Sequence, residues 1–494
     1  MMSKWIKKPL GELLELVIDH RGKTPKKMGF DDFHESGYPV LSAKHVKTDG
    51  LANTDAIRFS NEEMYRKWMK QEVQEGDIVL TSEAPMGEAF YIDGTTKYLL
   101  GQRVFGLRPK VELIEPLYLL AWLTSRNGQK QLESRSSGST VLGIKQSELL
   151  KLEVEVPPKD VQLLIAKNRQ DLSLKIELNR QTNQTLEYIA QAIFKSWFVD
   201  FEPTRAKIAA KQIRQARHDS ERSAALREAL LADDRWPKAV AAAIAEGDPE
   251  RAAMASISGK SLDELDQLSP EQQEQLITTA ALFPDALVES ELGGIPEGWE
   301  AKPLYETAKY INGNAFKTKD FSSDGSGLPI VKIVELKNGL SEGTKYTTGE
   351  FREKYSIKND DVLYSWSGSP ETSLEVFKWF GGDAWLNQHI FKLNFESEQQ
   401  RYFAYYLLKH MKPILIATAQ QKQTTGLGHV TVADMKRLLV SYPDVNLLKQ
   451  FKSVIASMYD QCSSLDKEVI ELSNLRDALL PKLLSGEIEM EAVA

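Results

Sequence analysis

Residues 5–12 read WIKKPLGE and residues 299–306 read WEAKPLYE, so Trp, Lys, Pro, Leu and Glu recur at one fixed offset. The restart extends well beyond these eight positions. GYPVLSAKHVKTDGL (37–51) is echoed by GLPIVKIVELKNGL (327–340), GDIVLTS (76–82) by DDVLYS (360–365), and GQRVFGL (101–107) by NQHIFKL (387–393). LGI (142–144) faces LGH (427–429), and Pro158 faces Pro443. Chance could supply one such match but hardly five in the same order. A single repeat this long marks a duplicated domain, not a solenoid of short units.

Within each copy, YPVLSAKHV, DIVLTS and RVFGLRP are short β-branched runs bounded by Gly, Asp and Pro, which predicts strands. EPLYLLAWLTSRNGQKQLES (115–134) and QQRYFAYYLLKHMKPILIAT (399–418) predict helices, with Pro413 ending or kinking the second. Each copy is thus an α+β domain of about 150 residues, over 1–157 and 298–443.

A long helical pattern follows each copy, over 158–202 and 444–494. In the second, Leu448, Ile455, Cys462, Val469 and Leu483 form one heptad row, and Phe451, Met458, Leu465, Leu472 and Leu479 the other. Only Arg476 interrupts this apolar seam. The first seam is weaker, with rows Ile165, Leu172, Asn179, Leu186, Ile193 and Arg169, Ile176, Asn183, Ala190, Trp197. Asn residues at such positions fix register instead of adding stability. Two unmatched seams in one chain most simply bury each other, which makes Cys462 a core residue. The intervening 203–297 is an Ala-, Glu- and Gln-rich helical connector, with N-caps at Ser261 (Glu264) and Ser269–Pro270 (Gln272).

The whole chain has a formal charge of −8, but residues 1–157 are neutral and 298–443 slightly basic. The acidic excess sits in the connector and the two helical segments, leaving either domain able to present a basic face. The longest apolar stretch, LYLLAWL (117–123), falls far short of the roughly 20 residues of a membrane helix. Glu12 and Glu15 interrupt any signal-peptide core, so the expectation is a soluble cytoplasmic protein. The single cysteine excludes an internal disulfide or a cysteine-cluster zinc site.

SGKS (258–261) lacks the earlier Gly of a phosphate loop, since Met254 stands there, and reads as a helix cap. Pro284–Asp285 followed by Glu300-Ala-Lys302 has the loose spacing of a nuclease centre, but Glu300 aligns with Ile6 and Asp285 lies in the unrepeated connector. The seven histidines show no paired ligand spacing. The expectation is a chain without catalytic activity and without a metal site.

Two α+β units each followed by a long helix, together with IPEGWEAKPL (295–304), WIKKPL, FKSWFVDFEPTRAK (194–207), ALFPDALVESELGGIPEGW (281–299) and LLPKLLSGEI (479–488), resemble the specificity (S) subunits of type I restriction–modification enzymes. The resemblance covers nearly the whole chain. It implies two pseudo-symmetric α/β target recognition domains separated by a long antiparallel two-helix coiled coil. It further implies recognition of a bipartite, asymmetric site on double-stranded DNA and docking of two methyltransferase (M) subunits and of motor–nuclease (R) subunits, in a bacterial phage-defence system. S-adenosylmethionine would belong to the M subunits, ATP and magnesium to the R subunits, and no cofactor to this chain. A helix of about 35 residues spans roughly 50 Å, more than one DNA turn.

Such domains differ with their targets, so candidate DNA contacts rest on side-chain chemistry. HRGKTPKK (20–27) offers Arg21, Lys23, Lys26 and Lys27 for phosphates, and ESRSSGSTVLGIK (133–145) offers Arg135, Ser137, Ser139 and Lys145. In the second copy Asn312, Asn314, Lys317 and Lys319 match the basic loop. QQKQTTGLGH (420–429) supplies Gln420, Gln421, Lys422, Gln423 and Thr424, with amides able to read adenine. The rival expectations are a coiled-coil protein-interaction scaffold without DNA specificity and a nuclease with a divergent motif.

Overall fold

The computed structural model describes residues 5–48, 50–138, 141–422 and 427–488. The chain divides into two compact units, residues 1–180 with 468–494 and residues 181–467, so each long helix contributes one part to each unit.

The quoted opening forms the first strand of each domain. Ile6–Pro9 pairs antiparallel with Glu153–Val156, and Glu300–Pro303 with Leu439–Tyr442, so the domain's two ends are laced together. Pro ends the strand and the next residue turns inward. Leu10 and Leu304 are completely buried, and their N–H groups donate to Leu152 and Leu438 carbonyls at 2.7 and 2.8 Å. The repeated Pro-Leu is therefore a stop followed by a core anchor.

Both domains carry the same antiparallel sheet. In the first unit the order is Leu14–Asp19, Val104–Pro109, Ile78–Thr81, Ala89–Tyr91; in the second it is Lys309–Asn312, Ile390–Asn394, Val362–Ser365, Glu375–Lys378. Beside each sheet lies one parallel pair, with Val40 opposite Leu99 in the first domain and Ile330 opposite Trp385 in the second. Gly37 and Gly327 enter these strands at φ +120° and +93°. A Cβ there would sit 2.3 Å from the Ser60 carbonyl oxygen and 2.0 Å from that of Thr347, so only glycine fits at this repeated position.

The helix expected over 115–134 is two helices, Pro116–Thr124 and Arg126–Ser134. Ser125 caps the second by accepting the Gly128 N–H at 3.1 Å, and Gly128 lets that helix approach the Trp122 carbonyl. Conversely, Glu398–Gln420 runs unbroken through Pro413, which lies on the exposed face of the helix. The LGI and LGH alignment shifts by one residue. Ile144 and Val430, both buried, make the equivalent bond, so Ile144 corresponds to Val430 and Gly143 to His429.

The long helices are Lys159–Phe198 and Val445–Ser485. In the first unit Ile165 and Ala166 share a cluster with Leu479, Leu480, Leu483 and Leu484, while Lys175 pairs with Glu468 at 3.3 Å. In the second, Asn183 meets Cys462 and Asp466, while Phe194 and Phe198 pack on Phe451 at 5.9 and 4.9 Å. Numbers rise on one helix as they fall on the other, so the pairing is antiparallel within each unit. Ile165, Leu448, Phe451, Ile455, Cys462 and Leu483 are fully buried. Leu172, Leu186, Ile193, Met458, Leu465, Val469, Leu472 and Leu479 are half-buried. Phe194 and Tyr459 take the deepest places next to Ile193 and Met458, a slip that follows from 3.6 residues per turn against a seven-residue repeat. Arg476 is buried in its seam with its guanidinium on Asp477.

The connector packs helices Glu202–Gln215, Ser220–Leu231, Lys238–Ala245, Pro249–Ser258, Leu262–Asp266 and Pro270–Ala281, followed by a hairpin of Leu287–Ser290 and Gly293–Pro296. Ala206, Ala210, Ala252, Ala253 and Ala280 are fully buried, and their small side chains let the helices approach closely. Ser261 and Ser269 each close a capping box. SGKS is a helix end, with Gly259 at φ +69°. Asp285 is held by Lys211 at 2.7 Å, a structural ion pair.

Candidate nucleic-acid interface

One end of each sheet gathers three segments by matching backbone bonds. In the first domain Ser82 N–H donates to the Arg103 carbonyl (2.8 Å) and Ile144 N–H to the Ser82 carbonyl (3.0 Å). In the second, Trp366 N–H donates to the His389 carbonyl (3.3 Å) and Val430 N–H to the Trp366 carbonyl (2.9 Å). Bridges Glu83–Gly143 and Ser367–His429 extend the same pairing. The strand end, the turn entering the neighbouring strand and the junction before the long helix therefore form one surface in both domains.

Common backbone carries different side chains. In the first domain the Arg21 guanidinium binds Asp19 through Nε and Nη2 at 2.9 and 2.8 Å, donates to the Ile144 carbonyl at 3.2 Å, and lies 3.9 Å over the Phe105 ring. Burial pushes the Asp19 carboxyl up, but the hydrogen bonds and charge of Arg21 outweigh it and hold the group below its usual range. Exposed Arg103 pairs with Glu83 at 3.1 Å beside exposed Gln102. In the second domain Trp366 donates from Nε1 to Asn312 at 3.1 Å and packs against His389 and Phe391 at 5.5 and 5.9 Å. Gln388 lies 3.4 Å from the His389 ring nitrogen Nε2.

The candidate contacts divide accordingly. Lys26 is exposed; Lys27 is exposed and donates to the Gly22 carbonyl at 3.0 Å. Lys23 is half-buried and donates to the Trp68 carbonyl at 2.6 Å; burial, then the neighbouring charge of Lys70, depresses its pKa. Arg135 pairs with Glu148 at 3.6 Å, Ser137 is exposed while its backbone pairs with Gly143, and Lys145 is exposed. Asn312 belongs to the Trp366 cluster. Half-buried Asn314 bridges Asn387, whereas Lys317 and Lys319 are exposed. Gln420 donates to Glu371 at 2.6 Å and Gln421 is exposed. Lys422 binds both oxygens of Asp434 at 2.5 and 2.6 Å. Burial raises the Asp434 carboxyl, but Lys422 and Thr431 bring it down to about 2. Ser139, Gln423 and Thr424 lie outside the described residues.

Sequence reasoning did not select Glu83, Gln102, Arg103, Trp366, Gln388, His389 or His429. For Arg103 and His389 a signal was present: an exposed position that differs between the copies stands between a shared Gln and the matching Val-Phe and Ile-Phe strands. Among the described residues no group of three or more His, Cys, Asp or Glu side chains is placed to hold a metal. None of the described helices is long and apolar enough to cross a membrane.

The family model described as "Type I restriction modification DNA specificity domain" matches residues 2–188 and 296–471. The chain belongs to that family. The two matched stretches are the two copies with the first part of each long helix, and they leave out nearly all of the connector. The type I restriction enzyme HindI specificity subunit of Haemophilus influenzae is 26% identical over 436 residues, covering 85% of this specificity chain and 88% of its own length. The MjaIX specificity subunit of Methanocaldococcus jannaschii is 23% identical over 425 residues, covering 84% and 78%. A crystal structure of a type I restriction–modification S subunit from M. genitalium aligns over 99% of this chain and 98% of its own, with 14% identity and a TM-score of 0.46.

Proposed function

We propose that this chain is the DNA sequence-specificity subunit of a type I restriction–modification complex, reading a bipartite asymmetric target. The observation that carries this is one backbone surface built twice with unequal side chains: Arg21, Glu83 and Arg103 in one domain, Asn312, Trp366 and His389 in the other. Equal scaffolds place each reader on its half-site, and unequal side chains make the half-sites differ. Two methyltransferase subunits and the motor–nuclease subunits are its partners, and double-stranded DNA its substrate. Chemistry belongs to those partners: S-adenosylmethionine to the first, ATP and magnesium to the second, with this chain binding none of them and catalysing nothing alone. The chain then acts in the cytoplasm, where the DNA is.

Sequencing methylated DNA from cells that express this chain with its methyltransferase subunit tests the reading. One split, asymmetric methylated motif is expected. Methylation without sequence preference, or the same motif when this chain is omitted, would overturn it.

A further inference from the structure

We propose that Arg103, oriented by Glu83, reads a guanine in the half-site of the first domain, and that His389 holds the equivalent reading position in the second. This rests on the specificity function proposed above. Arg103 sits on the turn between Gly101 and the strand Val104–Pro109, with its backbone at φ +66°, a region that non-glycine residues seldom adopt. Gly101, two residues earlier, is tied by N–H to the Leu41 carbonyl at 2.7 Å, and the Arg103 carbonyl accepts the Ser82 N–H at 2.8 Å. The turn is therefore fixed on both sides, and the side chain projects outward, about half exposed.

The guanidinium is held through Nε by the Glu83 carboxylate at 3.1 Å. Glu83 in turn lies against the junction backbone, because Gly143 has no side chain to displace it: a Cβ at Gly143 would stand 3.2 Å from the Glu83 Cβ and 3.3 Å from its Oε2. A carboxylate charge at this distance confines the guanidinium to the side of the junction. Arginine is the commonest reader of guanine, through its O6 and N7 in the major groove. Preorganisation by a second residue is what such a contact needs to discriminate rather than merely attract.

The second domain repeats the frame. Asn387 N–H donates to the Val331 carbonyl at 3.0 Å, as Gly101 does to Leu41, and the His389 carbonyl accepts from Trp366. His389 is exposed and leans on the Trp366 ring instead of a carboxylate. The same position thus carries a fork-shaped cation in one domain and an imidazole in the other. That is the difference two unlike half-sites require.

The test uses the full chain assembled with its methyltransferase subunits, methylating duplex DNA randomised across both half-sites. Arg103→Gly removes the side chain and suits the positive φ, so the fold is kept. It should lower selectivity at a single base pair of the first half-site by roughly 5- to 150-fold, the worth of one bidentate contact, and leave the second unchanged. His389→Ala should relax one position of the second half-site only. Glu83→Ala and Glu83→Gln, which both remove the charge paired with Arg103, should weaken the same base pair as Arg103→Gly, and Glu83→Asp, which keeps the charge, should restore part of it. Intact selectivity in the unaltered half-site reports that each variant complex is assembled. The proposal is overturned if Arg103→Gly leaves both half-sites as they were. It is equally overturned if binding weakens for every sequence alike while the salt slope falls by about 1, the mark of a phosphate contact. A wild-type complex with no preference at either half-site would instead sink the specificity function itself.

Discussion

Asn183 donates its side-chain amide to the Asp466 carboxylate at 2.5 Å, in the seam between the two long helices. Burial raises the Asp466 pKa, and Lys378, itself depressed by burial, stands 3.8 Å away. A half-buried carboxylate in such a place leans on its donors. Asn183→Leu should therefore cost about 1–3 kcal/mol by stripping one of them. Asp466→Leu should cost about 1–3 kcal/mol, because the buried Lys378 ammonium loses its nearest carboxylate while keeping the Ser463 hydroxyl at 3.1 Å and the charge of Glu187. The double variant should lose less than the sum, as measured by chemical denaturation of the three variants. Additive losses would mean the pair does not act as a unit.

Acid should weaken the first domain in a defined window. His20 is nearly fully buried, its Nδ1 has no hydrogen-bond partner, and burial, then the charge of Lys23, pushes its pKa down to about 4 against a partial pull from Asp19. The unfolded chain takes up that proton near pH 6.5 and the folded one only near pH 4. The contribution is therefore intact above 6.5 and is lost as pH falls toward 4, at most about 3 kcal/mol. The thermal midpoint of the full chain should drop across this interval, and His20→Gln should flatten that part of the profile. An equally steep profile in the variant would assign the acid sensitivity to other groups.

The loop lysines should separate by role. Lys26 is exposed, and Lys26→Gln should lower the salt slope of DNA binding by about 1 at every sequence. Lys23 is tied to the Trp68 carbonyl, so Lys23→Met should cost about 1 kcal/mol of stability and leave the slope unchanged. A reduced slope for Lys23→Met, measured by binding across a salt titration, would return Lys23 to the phosphate contacts.

What the sequence disclosed and what it hid follow from one distinction. Pro9 and Pro303, Gly37 and Gly327, and the Val-Phe and Ile-Phe strands repeat because backbone geometry demands them, so duplication exposed the topology. The helix seams were legible because apolar spacing reports burial directly, apart from the slip at Phe194 and Tyr459. The interface was harder. Its segments are far apart in sequence, joined through Ser82 and Trp366 carbonyls, and backbone bonds of that kind leave no trace in residue type. Charge alone pointed to Lys23, Arg135 and Lys422, which the fold engages with a carbonyl, Glu148 and Asp434.

The duplication suggests that a 298–494 half-chain, with the stronger seam, pairs with itself and reads an inverted repeat; the packing of the second unit argues otherwise. Its core is completed by residues outside that fragment: Phe198 meets Trp299, Phe403 and Phe451 at 5.8, 5.2 and 4.9 Å, and Trp197 meets Phe283 at 5.2 Å. In an antiparallel self-pair of the fragment, Leu479 and Leu483 of the second copy would have to cover those rings, and both are smaller than the aromatic side chains they would replace. Losing a buried Phe or Trp costs about 3–5 kcal/mol each, more than a leucine substitute recovers. Residues 181–467, which keep Phe194, Trp197, Phe198 and Phe283, should unfold cooperatively as a monomer, whereas 298–494 should associate heterogeneously and bind a hydrophobic dye. Light scattering and thermal melts of the two fragments give the answer. A well-defined 298–494 dimer melting as high as 181–467 would show that the leucines can replace the aromatic cluster and that the two copies are interchangeable after all.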